Sequence, residues 1–150
     1  MAAKRANKRF CYELPKGWQD QTVYNFIGPE DSGIQHSVRM IIDRHLLVKE
    51  ISRFARQRTQ PIEDSLQSVE VLKNEETTVE GCHPSWEFIY KWVLAEDRVM
   101  IQTYIFVICE KMGFTFEARF TKRTFNTVGR QLHEVVEALL PGTFEPLEDD

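Results

Sequence analysis

Alternating apolar and polar residues predict two strands near the start of the chain, at 21–27 ("QTVYNFI") and 35–43 ("QHSVRMIID"). Successive side chains of a strand point to opposite faces of a sheet. One face of the first strand would carry Thr22, Tyr24 and Phe26, and the other Val23, Asn25 and Ile27. Both faces are largely apolar, so each needs a cover, and the pattern alone does not say what covers the second.

Further strands are predicted at 9–15, 68–81, 85–95, 99–110 and 114–120. The segment 99–110 ("VMIQTYIFVICE") is apolar on both faces, which is typical of a central strand. Short turns at 96–98 and 111–113 separate the last three strands. Such tight connections favour antiparallel pairing.

Two amphipathic helices are predicted from apolar residues at helical spacing. The stripe of the first consists of Leu47, Val48, Ile51, Phe54, Ala55 and Arg58. Pro61 is expected to interrupt it, with a helical turn resuming as far as Leu66. The second helix is expected from about Lys122 to Leu140, with Thr121 or Thr124 as N-cap and Pro141–Gly142 as its end.

These elements predict a single α+β domain over residues 1–150, built on a six- or seven-stranded, mostly antiparallel, twisted sheet with two main helices. Two helices, each about 10 Å wide, cannot cover both faces of so wide a sheet. We therefore expect that some apolar sheet surface remains open for a partner.

Composition narrows the class of protein. The chain has 150 residues and a formal net charge of -4, which argues against a nucleic-acid binder that relies on a basic field. No apolar run is long enough to span a membrane, and the first residues have no apolar signal-peptide core, so a cytoplasmic location is expected. The basic end at 1–9 and the acidic end at 145–150 are expected to be flexible.

Motifs for catalysis are missing from the sequence. It contains no GxSxG, P-loop, GxGxxG or HExxH pattern, and its four histidines lack metal-ligand spacing. Cys11, Cys82 and Cys109 are far apart and are expected to be reduced thiols. We therefore expect a protein that is not an enzyme and holds no metal or cofactor. A nucleophilic Cys82 paired with a distant histidine is the weakest alternative.

Neutral amides lie among the apolar residues of the predicted strands and first helix. Gln102 lies between Met100 and Tyr104, Asn25 between Val23 and Ile27, and Gln57 and Gln60 flank the helix stripe. An amide both donates and accepts hydrogen bonds, so an apolar surface with a few amides suits an apolar helix that has polar backbone points. The alternative is that these are ordinary polar positions facing water.

Several short motifs resemble the Eag chaperones, the effector-associated proteins of bacterial type VI secretion, whose fold is related to DcrB and PsbP. The longest is "LPKGWQDQTVYNFIGP" (14–29), whose most specific piece is "WQDQ" (18–21) leading into a strand. The others are "FARQ" (54–57), "VEG" (79–81), "YKW" (90–92) and "VMIQTYIF" (99–106). With the chain length and the order of elements, the resemblance covers nearly the whole chain.

The resemblance implies a cytoplasmic, homodimeric chaperone. Such proteins shield the N-terminal transmembrane segments of PAAR or Rhs effectors before loading on the VgrG spike, without binding nucleic acid or inserting into membranes. Val23 and Met40 match apolar positions of the family's groove, Gln57 and Gln102 match its glutamines, and Asn25 replaces an expected isoleucine.

The effector-binding residues expected from the resemblance, with Tyr104 and Gln60 added from their positions in the strand and helix, are Val23, Asn25, Met40, Gln57, Gln60, Gln102 and Tyr104. The face on which Gln102 lies depends on the register, because a shift of one residue exchanges the two faces. The alternative function is a PsbP/DcrB-like module that binds a small molecule or lipid.

Overall fold

The computed structural model describes residues 13–18, 21–44, 46–65, 69–79, 83–95 and 98–143, excepting the side chains of 94, 95 and 141–143. Its strands are β1 Gln21–Asp31, β2 Ile34–Asp43, β3 Glu70–Val79, β4 His83–Ala95, β5 Arg98–Cys109 and β6 Met112–Thr121. They form one six-stranded sheet in the order β1-β2-β6-β5-β4-β3, and every pair is antiparallel. The predicted fold class is confirmed, with β5 and β6 at the centre.

Two hairpins are closed by two-residue turns. Ser32 and Gly33 join β1 to β2, and Glu110 and Lys111 join β5 to β6. All four residues have positive φ angles, between 51° and 79°. Turns with two positive φ angles match the right-handed twist of paired strands. The second turn lies one residue before the predicted position.

The first helix, α1, runs from Ile51 to Ser65. It begins after Leu47 and Val48, which were predicted to belong to it, and it continues through Pro61 instead of breaking there. Proline removes only one backbone donor, and the helix ends within four residues of it. The buried stripe of α1 includes Ile51, Phe54 and Ala55, as the spacing predicted.

The predicted C-terminal helix is broken into three parts, α2 Lys122–Phe125, a 3-10 turn Val128–Gln131 and α3 Leu132–Thr143. Thr121 caps α2, because the Thr124 N–H donates to its Oγ1 (3.1 Å) and its own N–H donates to Thr124 Oγ1 (3.0 Å). Asn126, Thr127 and Gly129 favour the break because all three are poor helix formers. The helix ends at Thr143, beyond the predicted stop at Pro141–Gly142.

Some sequence predictions fall outside the described residues. Both charged ends, Cys11, Cys82 and Leu66 lie there. Of the strand predicted at 9–15, only Glu13–Pro15 is described, and it is not a strand.

The sheet has one closed face and one partly open face. On the closed face, Met40, Ile105 and Phe116 pack against Leu132 and Val136 of α3, and all are buried. On the other face, which we call the open face, α1 covers only part of the sheet. There Phe54 packs edge-on against Phe106 of β5, with ring centroids 5.7 Å apart. The main cores therefore lie on opposite sides of the central strands.

Gly113, at the start of β6, provides the space into which the Phe54 ring packs. A Cβ added at Gly113 would lie 2.7 Å from Phe54 Cζ and 3.2 Å from Leu46 Cδ2. Since Phe54 is fully buried, its ring cannot move away without disturbing the packing of α1. We expect Gly113→Ala to lower the free energy of unfolding by about 1–3 kcal/mol, measured by urea unfolding.

The matched control is Gly28→Ala in β1, where the nearest atom to an added Cβ is at an ordinary 3.6 Å. We expect this control to change stability by less than about 0.5 kcal/mol. A Gly113→Ala protein as stable as the wild type would show that α1 is not packed as described.

A carboxylate on the closed face links the sheet to α3. In Glu87 of β4, Oε1 lies 2.8 Å from Lys73 Nζ, and Oε2 lies 3.3 Å from Nε2 of His133 in α3. Burial acts to raise the pKa of Glu87, but the bonds from His133 and Lys73 outweigh it and the net shift is downward. The hydrogen bond to Glu87 raises the pKa of His133 above its usual 6.5, although burial opposes this.

These shifts predict how stability depends on pH. The raised pKa of His133 stabilises the fold below the unfolded value of 6.5, and this contribution is lost as pH rises through the folded pKa. The lowered pKa of Glu87 stabilises the fold above 4.5 and is lost as pH falls through the folded pKa. We therefore expect urea unfolding to show a fall in stability from about pH 6 to pH 8 that is smaller in His133→Gln. The same fall in both proteins would contradict the His133–Glu87 interaction.

Candidate functional site

The candidate site is the part of the open face that α1 leaves uncovered, which we call the groove. It consists of Val23, Asn25 and Ile27 of β1, Arg39 and Ile41 of β2, Glu117 and Arg119 of β6, and Gln102 and Tyr104 of β5. A depression of about 420 Å³ occupies its floor and is lined by Asn25, Arg39, Met100, Gln102 and Arg119, among others.

The width of the groove follows from the pairing of its strands. Asn25 is paired with Arg39, Arg39 with Glu117, and Glu117 with Tyr104. Three strand spacings give a width of about 14 Å. An α-helix with its side chains is about 10–12 Å across, so the groove can receive one helix.

Four predicted site residues, Val23, Asn25, Gln102 and Tyr104, lie on the same face of the sheet. The pairing along β1, β2, β6 and β5 places them there. The one-residue shift that would have moved Gln102 to the other face is therefore absent. Val23 is 42% exposed and Asn25 is exposed, whereas Gln102 is only 4% exposed. The structure therefore places these residues on one face, but of the four only the two β1 residues are exposed.

The placement of Met40 in the groove is wrong. Met40 is paired with Tyr24 and Phe116, points to the closed face and is 1% exposed. A regular hairpin extended from the Ser32–Gly33 turn would place Met40 opposite Asn25. A bulge between Ile27 and Glu30 shifts the pairing by one residue. Asn25 is therefore opposite Arg39, and Val23 is opposite Ile41. Ile41 therefore occupies the groove position that was expected for Met40.

The two helix glutamines differ in position. Gln60 is nine residues from the buried Ile51, which places it on the opposite side of α1, where its Nε2 donates to Asp64 Oδ1 at 3.0 Å. Its assignment to the groove is therefore wrong. Gln57 is exposed on α1, three residues after Phe54. The next residue, Arg58, donates to Asp43 Oδ2 of β2 at 2.6 Å and ties α1 to β2, but it points about 100° around the helix from Gln57, so this bond does not place Gln57 in the groove.

Charged side chains fix the polar floor of the groove. Arg119 Nε donates to Gln102 Oε1 at 3.2 Å, and its guanidinium lies over the Trp92 ring at 5.5 Å. Arg39 Nη1 donates to Glu117 Oε1 at 3.1 Å. The amide oxygen of Gln102 is therefore already engaged, and the groove is more polar than the expected apolar surface with free amides.

The Tyr104 hydroxyl belongs to the same network. It hydrogen bonds with Tyr90 and Glu117, and its pKa is raised, mainly because the ring is buried. Tyr104 therefore stays neutral and contributes a fixed hydroxyl to the groove.

Arg39, Glu117 and Arg119 were not identified as site residues from the sequence. The alternation in 114–120 already placed Thr115, Glu117 and Arg119 on one face, and that in 35–43 placed Arg39 with Ile41. The alternation did not show which of those faces lies beside Gln102.

Titratable groups outside the groove were compared with the arrangements that hold a metal ion or activate a thiol. Within the described ranges, no group of three or more His, Cys, Asp or Glu side chains is placed to hold a metal ion. Cys109 lies 3.9 Å from His83 Nε2, but burial raises the pKa of its thiol, which disfavours the nucleophilic thiolate. Across the same residues, no helix is long and apolar enough to cross a membrane.

Solved structures with the same fold include proteins of different descriptions. PA94 from Pseudomonas aeruginosa, a protein of unknown function described as a candidate regulator, is 17% identical, with a TM-score of 0.67 over 89% of this chain and 92% of its own. LpqN, involved in cell envelope biogenesis of Mycobacterium tuberculosis, is 9% identical, with a TM-score of 0.52 over 79% and 82%.

A cyanobacterial PsbP from Synechocystis aligns over 91% of this chain and 84% of its own, with 11% identity and a TM-score of 0.45. No curated protein matches the sequence. The model of one protein family, DcrB, matches residues 11–137, which is most of the chain. The chain therefore belongs to the DcrB family.

Proposed function

We propose that this protein is a holding chaperone whose groove binds an apolar helix of a partner protein. The observation that carries the proposal is the open half of the sheet face, where the aliphatic side chains Val23, Ile27 and Ile41 of β1 and β2 lie across the groove from the fixed polar groups of Gln102 and Tyr104 on β5. The aliphatic side chains suit the apolar side of a helix, and the polar groups suit its small hydroxyl-bearing or backbone positions.

The resemblance to Eag chaperones supports the identity of the partner. On that basis the client is the N-terminal transmembrane segment of a PAAR or Rhs effector of a type VI secretion system. The chaperone would act in the cytoplasm as a homodimer, before the effector is loaded on the VgrG spike. It would not be an enzyme.

The expected free energy of binding is compatible with a chaperone that holds its client and later releases it. A transmembrane helix in water exposes on the order of 1,000 Å² of apolar surface, and covering half of it contributes roughly 10 kcal/mol at about 25 cal/mol/Å². Loss of translational and rotational freedom on association offsets much of this. The remainder fits binding that is tight but reversible.

A second candidate, binding of a small molecule or lipid, has one observation in its favour. A cavity of about 110 Å³ lies between β1, β2 and α3 and is lined mainly by apolar residues such as Phe26, Val38, Phe120, Leu132 and Val135. Drug-sized ligands generally need about 300 Å³ or more. The cavity therefore suits only a very small apolar molecule, and we give the chaperone function precedence.

Co-expression tests the two functions. An apolar 20-residue helix fused to the N-terminus of a soluble carrier is expressed with and without this protein. A chaperone keeps the fusion in the soluble fraction and co-purifies with it. A fusion that stays insoluble in both cases would contradict the proposal. A small molecule found by mass spectrometry in the purified protein would favour the second candidate.

A further inference from the structure

The groove continues into a second depression at the end of the sheet where β5 begins. This depression has a volume of about 490 Å³ and shares Ile34, Met100 and Thr121 with the first. Its floor includes the apolar side chains of Ile34, Val99 and Met100. A segment lying in the groove can therefore extend into it over the shared apolar side chains of Ile34 and Met100.

Five cations line these two depressions. Arg39 and Arg119 line the first, and Arg98, Lys122 and Arg123 line the second. Among the described residues that line them, Glu117 is the one carboxylate, and it already pairs with Arg39. This positive field contrasts with the net charge of -4 of the whole chain.

Lys122 and Arg123 are the most available of these cations. Both are exposed, and within the described part of the chain neither forms an ion pair. Arg123 interacts electrostatically with Asp31, whose carboxylate accepts hydrogen bonds from Thr127 and Ser32. Arg98 directly follows two acidic residues in the sequence, Glu96 and Asp97, so the experiment changes Lys122 and Arg123 and leaves Arg98 as it is.

We propose that the bound segment carries acidic residues directly beside its apolar helix, and that these carboxylates lie against Lys122 and Arg123. This inference rests on the proposed function and specifies the client. Complementary charge at the end of an apolar groove fixes which way a helix lies in it and speeds its capture. An acidic peptide fits better than a bare anion because apolar residues line the same depression as Lys122 and Arg123.

The test uses two fusions of the same apolar helix to a soluble carrier, one flanked by four Asp and one by four Asn. Affinity for the purified protein is measured at low and high salt. We expect the Asp fusion to bind about tenfold more tightly at low salt, with the preference shrinking as salt is added. The double variant Lys122→Glu/Arg123→Glu should lose the preference and still bind the Asn fusion.

The matched control is Arg53→Glu/Arg56→Glu, which makes the same change in charge at two exposed positions of α1. This control should keep the preference. Equal binding of both fusions, or a preference that survives in Lys122→Glu/Arg123→Glu, overturns the charge inference alone. Failure of both fusions to bind overturns the chaperone proposal and this inference with it. Binding to phosphatidylglycerol vesicles through Lys122 and Arg123, without an Asp preference, assigns these cations to lipid and also overturns the inference.

Discussion

Val23→Glu is expected to abolish binding of an apolar helix while leaving the domain folded. Val23 is 42% exposed on the groove side of β1, so the protein itself tolerates a charge there. A bound helix would bury that carboxylate without a partner, which costs several kcal/mol. We expect at least about a hundredfold loss of affinity for the carrier fusion, measured by titration, with an unchanged urea midpoint.

Val71→Glu is the matched control for this change. Val71 is also 42% exposed and lies on the same face, but on β3 at the other edge of the sheet. We expect it to bind the fusion as the wild type does. Equal loss of binding in both variants would mean that the added charge, rather than the groove, is responsible.

Met40→Glu is expected to unfold or severely destabilise the protein. Met40 is 1% exposed in the closed core, between Tyr24 and Phe116, and nothing charged is paired with it. An unpaired charge in such a core lowers the free energy of unfolding by about 3–5 kcal/mol. Thermal and urea unfolding measure this loss directly.

Met40→Leu, which conserves volume, should cost less than about 1.5 kcal/mol and keep binding intact. A Met40→Glu protein that folds normally but fails to bind the helix would show that Met40 faces the groove and that the pairing of β1 with β2 is shifted.

The alternation of apolar and polar residues predicted much of this fold, since the order of strands and helices, the antiparallel pairing and the two faces of each strand followed from it. It did not predict how neighbouring strands align. The bulge between Ile27 and Glu30 moves the partner of Val23 from Ile42 to Ile41. A bulge of this kind leaves little trace in the pattern of apolar residues.

The polar half of the groove was harder to predict for a related reason. Arg119 meets Gln102 only because β6 pairs with β5 in one register, and Arg39 meets Glu117 only because β2 pairs with β6. Such contacts between distant parts of the chain are set by the whole sheet. Local spacing therefore identified Asn25 and Gln102 but not the charges that hold the floor in place.

Photo-crosslinking at two neighbouring residues of β1 tests most directly whether the client lies on the open face. Val23 and Tyr24 are almost equally exposed, at 42% and 44%, but point to opposite faces of the sheet. A photoreactive amino acid replaces one or the other during co-expression with the apolar fusion. We predict that position 23 crosslinks to the apolar helix and that position 24 does not. Equal crosslinking from both positions, or crosslinking from position 24 alone, would contradict a groove on the open face.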